Sequence, residues 1–301
     1  MSPFPQRDAF DTERPNPRSA DLDTLGIADA FDVVNAEDAT VAAAVARAKP
    51  AIVRAIEVAS ERLARGGRLV YVGAGTSGRL GVLDSVECPP TYRTDPTLVQ
   101  GVIAGGPPAL TSAVEGAEDD RAAGARAMTE RAIGALDVVF GIAAGGTTPF
   151  VHGALAEAKA RGAATVFLAC VPREQAPGEA DVSIRVVTGP EVVAGSTRMK
   201  AGTATKLVLN TVSTLVMVRL GKVHKNLMVD VNTRGNAKLW QRGIGLVARI
   251  AAVDRARAEE LLDAADGEVK TAIVMARHAC DAGAARGRLA AARGVLRAAL
   301  G

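Results

Sequence analysis

Histidine, cysteine and aromatic side chains are scarce in this chain, and each shortage removes a class of function. The three cysteines, Cys88, Cys170 and Cys280, are odd in number and far apart, so no disulfide framework is expected. The three histidines, His152, His224 and His278, never stand at metal-ligand spacing to one another or to a cysteine, so no metal site is expected. His152 reads as a helix-surface residue. No GxSxG follows a strand-like run, which removes the nucleophile elbow of a serine hydrolase. Six Phe, two Tyr and one Trp leave little for stacking on bases. With 36 basic and 33 acidic residues the net charge is only +3, so no nucleic-acid partner is expected. No apolar run reaches the roughly 18 residues of a membrane span. The N-terminus carries no apolar signal core, so the expectation is a cytoplasmic protein with no membrane partner.

What is present is an apolar content of 48% in 301 residues, enough for one large α/β domain with an appendage, or for two domains. The central stretch is 69–92, LVYVGAGTSGRLGVLDSVECPPTY. Leu69 to Val72 reads as a buried strand. Gly73, Gly75 and Gly78 let the backbone turn and approach a ligand without a Cβ in the way. Thr76 and Ser77 place two hydroxyls where a helix begins, and Pro89-Pro90 are expected to stop that helix. A strand, a hydroxyl-bearing turn and a helix N-terminus make an anion site, because free N–H groups and the helix dipole both favour phosphate. Glu87 lies at the far end of the same helix. The spacing Gly73-x-Gly75-x-x-Gly78 also fits a dinucleotide fingerprint. That fold needs an acid about 20 residues further on to hold a ribose. Here Leu98 to Ala104 runs into Gly105-Gly106-Pro107-Pro108 with no acid, so no nicotinamide cofactor is expected.

Residues 1–18 are polar and proline-rich and read as a tail or an arm. Thr12, Glu13 and Asn16 are either idle or reach over a partner subunit's site. Helical spacing covers Leu22–Val34 and then Asp38–Arg65 across Pro50, ended by Gly66-Gly67. After the 98–104 strand a helix is expected from about Ala109 to Arg131, with Glu115 and Glu118 on one side of it. Strands follow at 138–143, 165–170 and 182–187, with a second glycine–hydroxyl turn, Gly145-Gly146-Thr147-Thr148, leading into a helix that runs to about Ala160. This alternation predicts a doubly wound parallel sheet with N-terminal helices. Both glycine–hydroxyl turns would lie at strand carboxyl ends, where open α/β sheets bind ligands. Ser196, Thr197, Arg198 and Lys200 precede a long apolar helix, Thr203–Leu220, either as its cap or as ligands to a phosphate or carboxylate. Alanine- and arginine-rich residues 241–301 read as three or four short helices in a small bundle, leaving 19–240 as the main domain. With metal and serine chemistry removed, acid–base work falls to carboxylates, Glu87 and Glu118 being the best placed.

The segments VGAGTSGRLGVLDSVECPPTY, AVEGAEDD, GPEVVAGSTRMKAGTATKLVLN and KNLMVDV resemble the N-acetylmuramic acid 6-phosphate etherases, which are built on a sugar-isomerase (SIS) domain. The resemblance runs from Thr12 to Cys280. It implies a flavodoxin-like sandwich, a homodimer, a sugar-phosphate substrate and no cofactor. It also implies removal of the lactyl ether by elimination through the open-chain aldehyde, then addition of water, in cell-wall recycling. Glu87 matches the acid/base that serves lactate and water, and Glu118 the residue that works at C2. Gly75, Thr76, Ser77, Gly78, Gly146, Thr147, Thr148, Ser196, Arg198 and Lys200 would hold the substrate and its phosphate. Two departures stand out: relatives commonly carry serine where this chain has Gly145, and Asp230 to Asn236 is one residue longer than the family pattern. Related glucokinase regulators are non-catalytic sugar-phosphate sensors with two such domains, and aldose–ketose isomerases share the fold. The intact SVECPP and VEGAE segments favour the etherase.

Overall fold

The computed structural model describes residues 10–301, so residues 1–9 of the expected tail lie outside the described residues. Five apolar runs form one parallel sheet: β1 (Leu69–Gly73), β2 (Val99–Ile103), β3 (Val138–Ile142), β4 (Ala164–Ala169) and β5 (Val182–Arg185). Their order is β2-β1-β3-β4-β5. β1, β3 and β4 are buried along their whole length, which is why they appear as unbroken apolar runs and not as alternating ones. The winding reverses between β1 and β3, and ligands of doubly wound sheets bind outside the carboxyl ends at that reversal. The expected fold class is therefore the observed one.

The chain divides into two compact units, the first comprising residues up to Val86 with Thr97–Ser213, the second Glu87–Pro96 with Thr214–Gly301. Three helices precede the sheet: α1 (Ile27–Asp38), α2 (Val41–Arg47) and α3 (Lys49–Ala64). Pro50 does not lie inside a continuous helix, as the spacing suggested. It occupies the first turn of α3, where its missing N–H removes no bond. Next come α4 (Gly75–Tyr92), α5 (Arg121–Glu130), α6 (Pro149–Ala160) and α7 (Lys200–Arg219). One face of the sheet buries Val70, Val72, Val139 and Phe167 against Met128, Val151, Ala154 and Leu155 of α5 and α6. Towards the other face, Tyr71 donates to Asp84 on α4 (2.9 Å), which also accepts from Asn210 (2.6 Å) and Ser213 (3.1 Å) on α7. α7 is long and apolar enough to cross a membrane by length and composition, but 56% of its most apolar window is buried inside the protein. Ala201, Ala204, Val208, Leu209 and Val212 make it a core helix. None of the three cysteines is paired in a disulfide, and burial pushes the Cys170 thiol up to about 12, so it is an inert core side chain.

Two further expectations fail here. Pro89 and Pro90 do not stop α4, which continues to Tyr92. Both lie in its last turn, and the Arg93 N–H still reaches the Pro89 carbonyl at 2.9 Å. No long helix spans 109–131: short 3₁₀ turns at Pro107–Leu110 and Ala117–Asp119 precede α5. Gly116, at φ 72°, breaks the run, and Asp120 caps α5 through the Ala123 N–H at 2.8 Å. Glu115 and Glu118 are thus loop residues and not neighbours on a helix. β4 joins β5 through residues 170–181 with no helix between them, and the sequence places none there.

At the opposite end of the sheet, Arg68 and Asp137 join the starts of β1 and β3 through a 2.7 Å ion pair, and Asp137 also accepts from the Gly134 N–H at 2.9 Å. Burial works to raise the Asp137 pKa, but the Arg68 guanidinium and the Gly134 N–H outweigh it and hold the carboxyl below its usual value. A depressed folded pKa contributes stability above the unfolded pKa and loses it as pH falls through the folded one. Asp137→Asn is therefore expected to cost about 2 kcal/mol at pH 7. In urea titrations its deficit against the wild type should shrink below about pH 4.

The second unit carries a two-stranded antiparallel ribbon, β6 (Val223–His224) with β7 (Leu227–Met228). Five helices follow, one more than the upper expectation: α8 (Ala237–Ala251), α9 (Arg255–Ala264), α10 (Val269–His278), α11 (Ala282–Ala291) and α12 (Leu296–Leu300). Ile244, Val247, Leu262, Ile273 and Val274 are central to its core. Asn236 caps α8 through the Leu239 N–H at 2.9 Å, a structural use for one residue of the lengthened 230–236 segment.

Candidate active site

The turn after β1 is possible only with glycine. A Cβ on Gly73 would stand 2.7 Å from the Gly78 nitrogen, and one on Gly78 would stand 2.8 Å from the Gly73 oxygen. Strand end and first helical turn are therefore in near backbone contact. Gly75 adds a φ of 50°. Thr76 and Ser77 then sit in the first turn of α4, where N–H groups have no intrahelical acceptor.

The turn after β3 repeats the arrangement. Gly146, at φ 79°, leaves no room for a Cβ, which would collide with that of Ala176. Pro149 opens α6, and Thr148 precedes it without spending its hydroxyl on a capping bond. His152 holds this turn from behind, its Nε2 lying 2.8 Å from the Gly146 carbonyl oxygen, to which it donates as the Nε2–H tautomer. It is not the surface residue the spacing suggested. Burial, then the charges of Arg121 and Arg185, lowers its pKa.

Both turns face one cavity of about 230 Å³. Gly75, Thr76, Ser77, Thr147, Thr148 and Glu118 line it. Gly78 and Gly146 shape its floor without lining it. Glu118 is carried on the irregular 111–119 loop, which Arg79 of α4 holds through the carbonyls of Leu110 and Ser112, both at 3.2 Å. Glu87 is an exposed residue of α4 and belongs to the second compact unit.

Sequence reasoning missed Phe10, left Glu13 open between no role and a partner subunit's site, and treated Gly145 only as a defect, although all three line the cavity. Glu13 approaches the cavity of its own chain. The Gly195 N–H donates to the Thr12 carbonyl at 3.0 Å, Asp11 and Gln175 bond each other, and Ser19 donates to the Val192 carbonyl at 2.7 Å. The segment before α7 presents Gly195 and Thr197 to the cavity, whereas the neighbouring candidates Ser196 and Arg198 do not line it. Lys200 is corrected outright as a ligand. Its side chain is 2% exposed and its Nζ lies 2.6 Å from Glu37 Oε2. Arg18 joins the same carboxylate at 2.5 Å. Glu191, fully buried, accepts from the Lys200 and Ala201 N–H groups at 2.9 Å each and so caps α7; burial pushes its pKa up. Among the described residues no group of three or more His, Cys, Asp or Glu side chains is placed to hold a metal ion.

The site thus offers two hydroxyl-lined anion cradles at the reversal of the sheet and a carboxylate at the same cavity, an arrangement suited to an anionic substrate and proton transfer. Residues 51–159 match the family model described as the glucokinase regulatory protein N-terminal SIS domain. Over 300 residues the chain is 50% identical to the N-acetylmuramic acid 6-phosphate etherase of Crocosphaera subtropica, covering 100% of this chain and 98% of that one. The enzyme of the same name from Gloeobacter violaceus is 53% identical over 297 residues, 99% of this chain and 97% of its own. That of Synechocystis is 52% identical over 289 residues, 96% and 94% respectively. With such identity over almost its entire length, the chain belongs to the N-acetylmuramic acid 6-phosphate etherase family.

Proposed function

We infer that this protein is a carbon–oxygen lyase that removes D-lactate from N-acetylmuramic acid 6-phosphate, leaving N-acetylglucosamine 6-phosphate. The observation that carries the reading is the identity of about 50% over the full chain to enzymes of that name. The chemistry suits the site. In the open-chain sugar the C1 aldehyde acidifies the C2 proton; a carboxylate removes it, and the C3–O bond breaks with departure of lactate. Water then adds to the unsaturated aldehyde at C3. Glu118 is assigned the proton at C2, and Glu87 protonation of the leaving lactate oxygen and activation of the water. Thr76, Ser77, Thr147 and Thr148, with the N–H groups of their turns, hold the phosphate. Ser196 and Arg198 are kept as outer contacts of the same substrate.

The main sugar-phosphate domain is placed at 19–240 and a helical C-terminal domain at 241–301. A homodimer is proposed on the exposure of Ile27 and Phe31 on α1 and of Leu83 and Val86 on α4, large apolar groups that association would cover. A phosphorylated sugar does not cross a membrane unaided, so the reading puts the protein in the cytoplasm.

The test is D-lactate release from N-acetylmuramic acid 6-phosphate by the wild type beside Glu87→Ala. Lactate from the first and none from the second supports the reading. The match of residues 51–159 to a regulator domain favours a second reading, a non-catalytic sensor. Sugar-phosphate binding by folded wild type without lactate release would establish that instead.

Gly145 supplies another prediction. A Cβ there meets nothing within 4 Å, and its φ is not positive, so a serine fits without strain. Gly145→Ser adds a hydroxyl to the cradle and is expected to tighten N-acetylglucosamine 6-phosphate binding by about tenfold in calorimetric titration.

A further inference from the structure

Behind the second turn lies a separate cavity of about 210 Å³, open to solvent on one side and lined by Arg121, by residues of α6, by Thr165 and Phe167 of β4 and by residues 177–180 of the connection to β5. It shares no lining residue with the active-site cavity. We propose that this cavity is a second ligand site, built for a small organic carboxylate with an apolar body.

Its walls divide by chemistry. Leu155 and Phe167 give an apolar interior, while Arg121 and Lys159 are cations at its wall. Among the described residues neither of these forms a salt bridge; Lys159 donates to the Glu179 backbone carbonyl at 2.7 Å. One layer behind, the Arg185 guanidinium stacks over the Phe167 ring at 4.9 Å from its centroid. Its Nε donates to Ser183 at 2.9 Å, but its Nη1 and Nη2 are buried without hydrogen-bond partners. A buried, unneutralised guanidinium is costly, and an anion in front of the ring lowers that cost. Arg173 repels this guanidinium and Glu174 attracts it. Glu179 is the one acidic residue on the wall, against the two cations Arg121 and Lys159. The balance favours an anion.

Size and polarity select the class. A dry cavity of about 150 Å³ holds benzene. This one therefore has room for an aromatic ring and a carboxylate. Inorganic phosphate would leave Phe167 and Leu155 uncovered, whereas an aromatic acid covers them and turns its charge to Arg121 and Lys159.

Benzoate is the probe, titrated into the full-length protein by calorimetry, with benzylamine as the counterpart of opposite charge. Saturable benzoate binding is expected, with no benzylamine binding. The double variant Arg121→Gln/Lys159→Gln, changed only at exposed side chains, should bind benzoate at least tenfold more weakly. Ser77→Ala, which alters the phosphate turn, should bind it as the wild type does. The proposal is overturned if wild type binds benzoate more weakly than about 10 mM, if the double variant binds it unchanged, if benzylamine binds equally, or if Ser77→Ala removes binding.

Discussion

Glu118→Gln is expected to slow D-lactate release by about 10²–10⁴-fold, the range that a positioned acid or base contributes. The amide matches the carboxylate in size and cannot accept the C2 proton. Arg79 holds the loop that carries it through the backbone carbonyls of Leu110 and Ser112, and the substitution leaves both bonds in place. Isotope exchange separates the two acids. In D2O the wild type should give N-acetylglucosamine 6-phosphate with deuterium at C2, since the abstracted proton is replaced from solvent. Glu118→Gln should lose both exchange and release. Glu87→Ala should still exchange the C2 proton of the substrate while lactate stays attached. The reverse pattern would exchange the roles of the two residues.

Glu37→Gln is expected to be the most destabilising single change, at about 3–5 kcal/mol, because it leaves the Lys200 ammonium buried without its counter-charge. Replacing both partners with apolar residues, Glu37→Leu/Lys200→Met, should recover most of that loss, since the cost lies in the uncompensated charge and not in the missing bond. Burial alone would raise the Glu37 pKa, but hydrogen bonds from Lys200 and Asn16 and the charges of Lys200 and Arg18 more than offset it, so the folded value lies below 4.5. Its contribution is thus complete above the unfolded pKa and is lost as pH falls through the lower folded one. Denaturant midpoints from pH 7 to pH 3 should fall for the wild type and show a smaller dependence for Glu37→Gln. Equal slopes would remove the pair from the account of acid sensitivity.

The sheet and both turns were legible because buried parallel strands leave unbroken apolar runs, and because Gly73, Gly78 and Gly146 occupy places where a Cβ collides. The helix expected over 109–131 was misread because acids three apart imitate a helical face, while Gly116 had already broken the backbone. Pro89 and Pro90 misled in the other direction: proline ends a helix by removing N–H donors, but in a last turn little helix remains to be lost. Lys200 and His152 were beyond local reasoning. The partner of Lys200 is 163 residues away, and the carbonyl that His152 contacts belongs to a turn whose fold no periodicity reveals. Glu13 was left open for the same reason, its neighbours being set by the return of the chain near Gly195.

The placement of the arm has a consequence for how the protein is made. Phe10 is 3% exposed within the core, and Asp11 bonds Gln175 across a separation of 164 residues. During synthesis at about 5–20 residues per second, the arm emerges on the order of ten seconds or more before Gln175 exists. The Pro190–Gly195 segment, which holds Asn16, Ser19 and Thr12, follows later still. Residues translated well before the sheet are thus among the last to find their places, and they complete the wall of the active-site cavity only after the whole sheet has been translated.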